Sequence, residues 1–231
     1  MELPSKTQID QLGDRLRSDR PNRDDLIRLD IYRQSYCPAY ETVIRTIKGQ
    51  LELQPSGRPA KSTKSLIEKL KRESIRLTQV QDIAGCRLTV ADIYSQDHVT
   101  ASIARLFPGS AVVDRRDKPK FGYRAVHVIP RVSGKPVEIQ VRTLLQHMWA
   151  EISEKYADLF GTDIKYGGGD LRVRTRLDQV SQLVSLIEDF EGKLGETEGS
   201  RRWQHMGPVR DERRLIVDAL YQMLQAKEFE E

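Results

Sequence analysis

The sequence predicts an α+β fold: a mixed β-sheet flanked by helices, with further helices at both ends of the chain. Three segments carry that prediction, residues 82–88, 122–128 and 137–143, in each of which apolar residues alternate with acidic, basic or aromatic ones. A strand sends successive side chains to opposite faces. Ile83, Leu88, Val126, Val128, Val137, Ile139 and Val141 therefore build a buried side, while the charges gather on an open face or at the strand ends. One such run arises by chance; three in order define a sheet. A sheet carrying two carboxylates, several arginines and a tyrosine suits a metal-bound polyphosphate.

The elements follow in chain order. Ser5 and Gln8 form a capping box for a short helix striped by Ile9, Leu12 and Leu16. Pro21-Asn22 restarts the chain, and Asp24 and Asp25 sit at the positive end of a longer helix with apolar repeats from Leu29 to Leu51, kinked at Cys37-Pro38. Residues 54–59, rich in turn formers, read as a break. A third helix covers about 62–73, burying Leu66 and Leu70. Residues 80–143 read as a sheet of four or five strands with a helix over 93–106 and a loop over 114–122. Residues 143–160 return to helical spacing. Val173, Leu177, Val180, Val184, Ile187 and Leu194 then form a coiled-coil-like seam that Glu191 interrupts. That seam suits packing within the chain and also admits a homo-oligomer joined through the C-terminal helices. A linker over 195–207 leads to a last helix with Ile216, Leu220, Met223 and Leu224 on one face.

Composition narrows the function classes. A chain of 231 residues with 38% hydrophobic and 31% charged content buries a real core and stays soluble. The net charge of +4 is small, but the basic residues cluster, at Lys61 to Arg76 and at Arg115 to Arg124, which favours a phosphate-bearing ligand over a general nucleic-acid coat. The first residues lack the apolar core of a secretory signal, and no apolar run is long enough to span a bilayer. Cys37 and Cys86 need no pairing, and the four histidines have no metal-ligand spacing. A reducing cytoplasm is the expected location, with no membrane partner.

The candidate chemistry sits at four places. Lys61, Ser65 and Lys69 fall at i, i+4 and i+8 of the third helix, with Arg58 just ahead and Arg72 near the same azimuth, so several cations and a hydroxyl converge as a triphosphate requires. A solvated lysine-rich helix is the alternative. Asp82 and Glu138 are the carboxylates best placed to share a metal, since a carboxylate inside a strand is costly unless paired or metal-bound, and magnesium completes its shell with phosphate and water. Here the alternative is an ion pair of Glu138 with Arg87 or Arg142. Gly122-Tyr123 follows the basic loop and offers a ring for a nucleobase, with His127 expected on the same strand face.

These residues resemble the synthetase domain of the RelA/SpoT alarmone enzymes, especially the small single-domain synthetases, from about Tyr40 to Lys165. The motifs are Lys61-x-x-x-Ser65-x-x-x-Lys69, Asp82-Ile-Ala-Gly85-Cys-Arg87, Gly122-Tyr123-Arg-Ala-Val-His127 and Glu138-Ile-Gln140-Val-Arg142-Thr143. The resemblance implies a nucleotidyltransferase-like sheet and transfer of the β,γ-pyrophosphate of ATP to a nucleotide 3′-hydroxyl with magnesium (Mg2+). It implies that Arg58, Lys61, Ser65, Lys69 and Arg87 hold ATP, that Asp82 and Glu138 bind the metal, and that Glu138 activates the hydroxyl. Lys120, Tyr123, His127, Gln140 and Arg142 would take the acceptor. The family's first basic residue usually stands two positions before the lysine, where this chain has Pro59, so Arg58 is displaced by one. The basic loop before Tyr123 is a residue shorter than in the long enzymes.

The same resemblance divides the chain into N-terminal helices (1–55), a synthetase core (56–168) and a helical extension (169–231). No histidine precedes His98, so the metal motif of the family's hydrolase domain is not expected. Two acceptors fit. GDP or GTP would give the alarmone (p)ppGpp of the stringent response. The 3′ end of tRNA would make the chain the toxin of a toxin–antitoxin pair, an option the basic residues at 115–120 and Arg201-Arg202 keep open.

Overall fold

Capping chemistry cuts the N-terminal region into short helices. The structure, a computed structural model, describes residues 4–18, 21–198 and 207–225, with side chains over 4–18, 21–193 and 214–223. Helix α1 (Lys6–Arg17) opens on the expected capping box, the Ser5 hydroxyl accepting from Gln8 N–H while the Gln8 side chain accepts from Ser5 N–H. Helix α2 (Arg23–Gln34) repeats the device with Asn22 and Asp25. The long kinked helix expected here is two helices. α2 stops at Gln34, and α3 (Cys37–Leu51) starts afresh with Pro38 in its first turn, where a missing N–H leaves nothing unsatisfied.

The break at 54–59 holds a three-residue edge strand, β1 (Ser56–Arg58). Helix α4 (Thr63–Arg72) is capped by Ser62, whose hydroxyl accepts from Ser65 N–H, and buries Leu66 and Leu70 as expected. The helix therefore begins after Lys61. Lys61 belongs to the preceding loop, where its N–H donates to Ile83 O at 2.6 Å.

Among the described residues the sheet has six strands: five within 80–143, as expected there, and β1 ahead of that region. Its remaining members are β2 (Ala84–Val90), β3 (Ala111–Asp114), β4 (Val126–Ile129), β5 (Arg131–Val132) and β6 (Lys135–Thr143), in the order β1-β2-β6-β4-β3 with β5 on β6. β1 runs antiparallel to β2, with Arg58 opposite Gly85 and Ser56 opposite Arg87. Alternation is visible in the burial. Ala84, Cys86 and Leu88 of β2 and Val137, Ile139 and Val141 of β6 are buried, whereas Gly85, Arg87, Glu138 and Gln140 reach the open face. A Cβ on Gly85 would lie 2.9 Å from Glu138 O, so a side chain there would push β2 off β6.

The remaining helices are α5 (Ile93–Leu106), α6 (Leu144–Phe160, capped by Thr143), α7 (Leu171–Glu198) and α8 (Gly207–Gln225). α7 runs through Gly195, where a linker was expected; residues 199–206, including Arg201 and Arg202, and the side chains of Leu194 and Leu224 lie outside those described. Among the described residues no helix is long and apolar enough to cross a membrane.

The chain folds as two compact units, 1–88 with 101–112 and 127–140, and 89–100 with 113–126 and 141–231. In the first, α1 packs on α2 and α4, and α3 on β5. In the second, Leu145, Trp149, Ile152, Leu177, Val184 and Leu220 join α6, α7 and α8 in one core, so the seam of α7 is filled within the chain.

Ile139 is fully buried on the apolar side of β6. Ile139→Ala is expected to lower the unfolding free energy by about 2–5 kcal/mol, measured by urea unfolding. Val112→Ala, at a half-exposed position of β3, should change it by less than about 0.5 kcal/mol.

Candidate active site

The first unit gathers nine of the expected residues: Arg58, Lys61, Ser65, Lys69, Asp82, Arg87, His127, Glu138 and Gln140. Asp82 lies two residues ahead of β2, between bends at Gln81 and Ile83. Lys61 Nζ reaches its Oδ2 at 2.6 Å and Lys69 Nζ its Oδ1 at 3.0 Å. The lysines arrive from different elements, one from the loop before α4 and the other from the second turn of the helix. The loop is held by α2, because Arg33 Nε donates to Lys61 O and its Nη1 to Thr63 Oγ1 at 3.0 Å. Burial pushes the Asp82 carboxyl up, but the two ammonium groups outweigh it and bring its pKa down to about 2.

Glu138 projects from the middle of β6. His127 Nδ1 lies 2.9 Å from its Oε1 and Gln140 Nε2 donates to its Oε2 at 2.7 Å. Burial works against ionisation here, and so does the charge of Asp82, yet the His127 and Gln140 contacts prevail and the carboxyl stays below its ordinary pKa. Glu138 is thus a charged, oriented carboxylate whose oxygens each keep a lone pair for a further partner. Its partners were not the ones expected: His127 and Gln140, read as acceptor contacts, are bonded to Glu138. Arg58 and Arg87 share the open face with it, Arg58 exposed and Arg87 half-buried. The Ser65 hydroxyl meets that of Ser62 at 2.8 Å.

Two mutually sensitive carboxylates fit a hard divalent ion that draws its other ligands from phosphate and water. Among the described residues no group of three or more His, Cys, Asp or Glu could hold a metal ion.

The second unit holds Lys120, Tyr123 and Arg142. Tyr123 was expected on a strand with His127, but it closes a tight turn ahead of β4. Its N–H donates to Lys120 O at 3.1 Å, and the central residues Phe121 (φ 53°) and Gly122 (φ 80°) are both left-handed, the geometry of a primed turn. A phenylalanine in that region is strained by about 1–3 kcal/mol. Arg142 Nη2 donates to the Tyr123 hydroxyl at 3.1 Å, and the guanidinium carbon lies 5.1 Å from the ring centroid. Lys120 is exposed, its ammonium 5.7 Å from the Phe121 ring. Two members of the basic cluster serve the fold: Arg116 pairs with Asp114 and Asp97, and Arg124 donates to Ser181 Oγ and to Arg116 O.

Residues 57–157 match the family model described as a region found in RelA / SpoT proteins. An uncharacterised protein of Mycobacterium tuberculosis is 37% identical over 157 residues, which cover 65% of this chain and 56% of the relative. The GTP pyrophosphokinase YjbM of Bacillus subtilis is 32% identical over 147 residues, covering 56% of this chain and 65% of that protein. This chain therefore matches less than two thirds of the length of either. Among solved structures, small alarmone synthetase 1 of Bacillus subtilis bound to its product pppGpp is similar with a TM-score of 0.54 at 25% identity, covering 75% of this chain and 97% of that one.

The depressed Asp82 carboxyl stabilises the fold above its ordinary value of 3.8, and that contribution is lost as pH falls through 3.8 towards about 2. Asp82→Asn should destabilise the protein clearly at pH 5, and the difference from wild type should shrink as pH drops through this window. Urea unfolding of both proteins between pH 5 and 2 checks it.

Proposed function

From a chain whose residues 57–157 match the RelA / SpoT family model, we propose an ATP-dependent pyrophosphokinase that makes (p)ppGpp from GDP or GTP. One observation carries the reading: two phosphate-seeking lysines converge on Asp82 while a second carboxylate, Glu138, is held charged and oriented on the same sheet.

In this mechanism Lys61 and Lys69 turn from Asp82 to the phosphates of ATP, and Arg58, Arg87 and Ser65 add further contacts. A magnesium ion held by Asp82 and Glu138 would neutralise charge on the transferred group. Tyr123, backed by Arg142, stacks on the acceptor base, and Lys120 meets the acceptor's phosphates. Glu138 takes the proton of the 3′-hydroxyl, steadied by His127 and Gln140. The 3′-oxygen bonds to the β-phosphorus, the bond to the oxygen bridging the α- and β-phosphates breaks, and AMP leaves with that oxygen. Positioning and charge neutralisation supply most of the rate.

A guanosine nucleotide is preferred to the 3′ end of tRNA because Arg116, one of the basic residues at 115–120 that a tRNA would use, pairs with Asp114 and Asp97, and the neighbouring Arg124 donates to Ser181 Oγ. The B. subtilis relative named for GTP pyrophosphokinase activity supports the same choice. Incubation with γ-labelled ATP and GDP, GTP or deacylated tRNA, followed by separation of the products, tests it: label should move to GDP and GTP, and label in tRNA would overturn it.

Glu138→Gln is expected to lower turnover by roughly 10²–10⁴-fold with the protein still folded, the range for loss of a general base. Steady-state kinetics and circular dichroism check it.

Lys69→Ala should raise the KM for ATP severalfold, whereas Lys71→Ala should leave it within about twofold, because the two positions differ by about 200° around the helix. Equal effects would point to general charge.

A further inference from the structure

The buried stripe of α7 is not wholly apolar. Leu177, Ser181, Val184, Glu188 and Glu191 follow a four-three spacing and all are buried, although serine and glutamate contribute nothing to apolar packing. Burying a carboxylate in a helix seam is unfavourable unless its oxygens are satisfied. Both oxygens of Glu188 are. Oε1 accepts from the Thr143 hydroxyl and Oε2 from Gln146 Nε2 at 2.9 Å. Burial nonetheless holds the Glu188 carboxyl above its ordinary pKa against those hydrogen bonds and the charges of Arg124 and Arg116.

These contacts converge on the segments that carry the Tyr123–Arg142 pair. Thr143 follows Arg142 directly and caps α6. Gln146 is tied in turn to Gln96, whose Nε2 donates to Gln146 Oε1 at 2.7 Å and to Val141 O, on the other side of Arg142, at 2.8 Å. The backbone flanking Arg142 is thereby fixed on both sides by a closed polar network that ends on Glu188.

Ser181 does the same for the turn. Its hydroxyl donates to Gly122 O at 2.6 Å and accepts from Arg124 Nε at 3.1 Å, gripping both neighbours of Tyr123. A Cβ on Gly122 would meet Trp149 Cζ2 at 2.7 Å, with Asp178 Oδ1 and Ser181 Cβ at 3.3 Å, so the turn is seated against α6 and α7 with no room to spare. Strained turns persist when their surroundings over-determine them, and here α7 contributes much of that surrounding.

We propose that Ser181 and Glu188 of α7 are positioning residues that hold Tyr123 and Arg142 in register, making this helix, which lies beyond the 57–157 family match, part of the acceptor site. The kinetic consequence rests on the reading of Tyr123 as the acceptor platform; the structural one does not. The two are tested separately on the full chain with Ser181→Ala, Glu188→Gln, Glu188→Leu and Tyr123→Ala.

Hydrogen exchange read by mass spectrometry reports the positioning itself. Ser181→Ala should speed exchange in peptides covering 120–126, and Glu188→Leu in those covering 141–146, with 56–72 and 82–88 unchanged. Glu188→Gln, which keeps the shape and one acceptor oxygen, should restore most of the protection. Kinetics then report the role. Loss of the two hydrogen bonds of the Ser181 hydroxyl should raise the acceptor KM roughly five- to thirtyfold in Ser181→Ala, and Glu188→Leu should raise it by a comparable factor, with the KM for ATP within about twofold. Unchanged exchange in folded Ser181→Ala and Glu188→Leu would overturn the positioning role, as would a uniform increase over every peptide. If exchange rises locally but neither Tyr123→Ala nor the α7 variants alter the acceptor KM, the positioning stands and the acceptor assignment of Tyr123 falls. If Tyr123→Ala raises the acceptor KM and the α7 variants do not, the inclusion of α7 in the acceptor site is refuted.

Discussion

A carboxylate in the middle of β6 has to remain charged although most of its surroundings are protein. Glu138 meets that requirement through His127 on β4 and Gln140 on its own strand, which outweigh both burial and the repulsion of Asp82. Much of the first unit follows from it. β4 must lie beside β6 for His127 to reach, and Gly85 must lack a side chain for β2 to approach. Asp82 must in turn be balanced, and Lys61 and Lys69 do so. The apolar side of the sheet supplies the rigidity that lets these charges be held at fixed distances, since Ala84, Val137 and Ile139 are fully buried on it.

Lys61 and Lys69 show how the proposed phosphate site balances its charge without a ligand. A cluster of cations awaiting a polyphosphate repels itself, and a carboxylate awaiting a metal is costly when desolvated. Pairing Lys61 and Lys69 with Asp82 relieves both problems at once, and it keeps the groups within reach of the places where the proposed reaction uses them. In the proposed reaction the polyphosphate would bring the metal's remaining oxygens.

The alternating pattern made the two faces of the sheet readable, because a period of two is imposed by the backbone and survives any tertiary context. Glu138, Gln140 and Arg87 accordingly reach the open face, as the spacing implied. Helical spacing was less secure at its ends. Lys61 fits the i, i+4, i+8 series with Ser65 and Lys69, yet Ser62 is the better cap, and the helix begins one residue beyond it. Similarly, Pro38 is compatible with a kink or a start, and only the turn at Ser35-Tyr36 decides between them. β1 was hidden because a three-residue edge strand borrows its order from β2 rather than from its own composition. Tyr123 was misplaced because a left-handed Phe121 has no local signature; the turn is set by Gly167 beneath the Phe121 ring and by α7 beneath Gly122.

The polar members of the α7 seam escaped for a different reason. Helical periodicity is carried by apolar residues, so Val180 and Ile187 read as the seam while Ser181 and Glu188, one position along in each case, do not. The structure packs Val180 and Ile187 at the margin of the helical core and buries Ser181 and Glu188 more completely. A helix that needed only to be packed would gain from leucine at those sites, because well-packed apolar residues commonly equal or exceed buried ionic groups in stability. Retaining serine and glutamate makes sense when specific geometry is worth more than net stability. The turn before β4 and the end of β6 are the two segments so constrained, and each carries one partner of the Tyr123–Arg142 pair. On that argument α7 serves the proposed acceptor site as much as it serves the core.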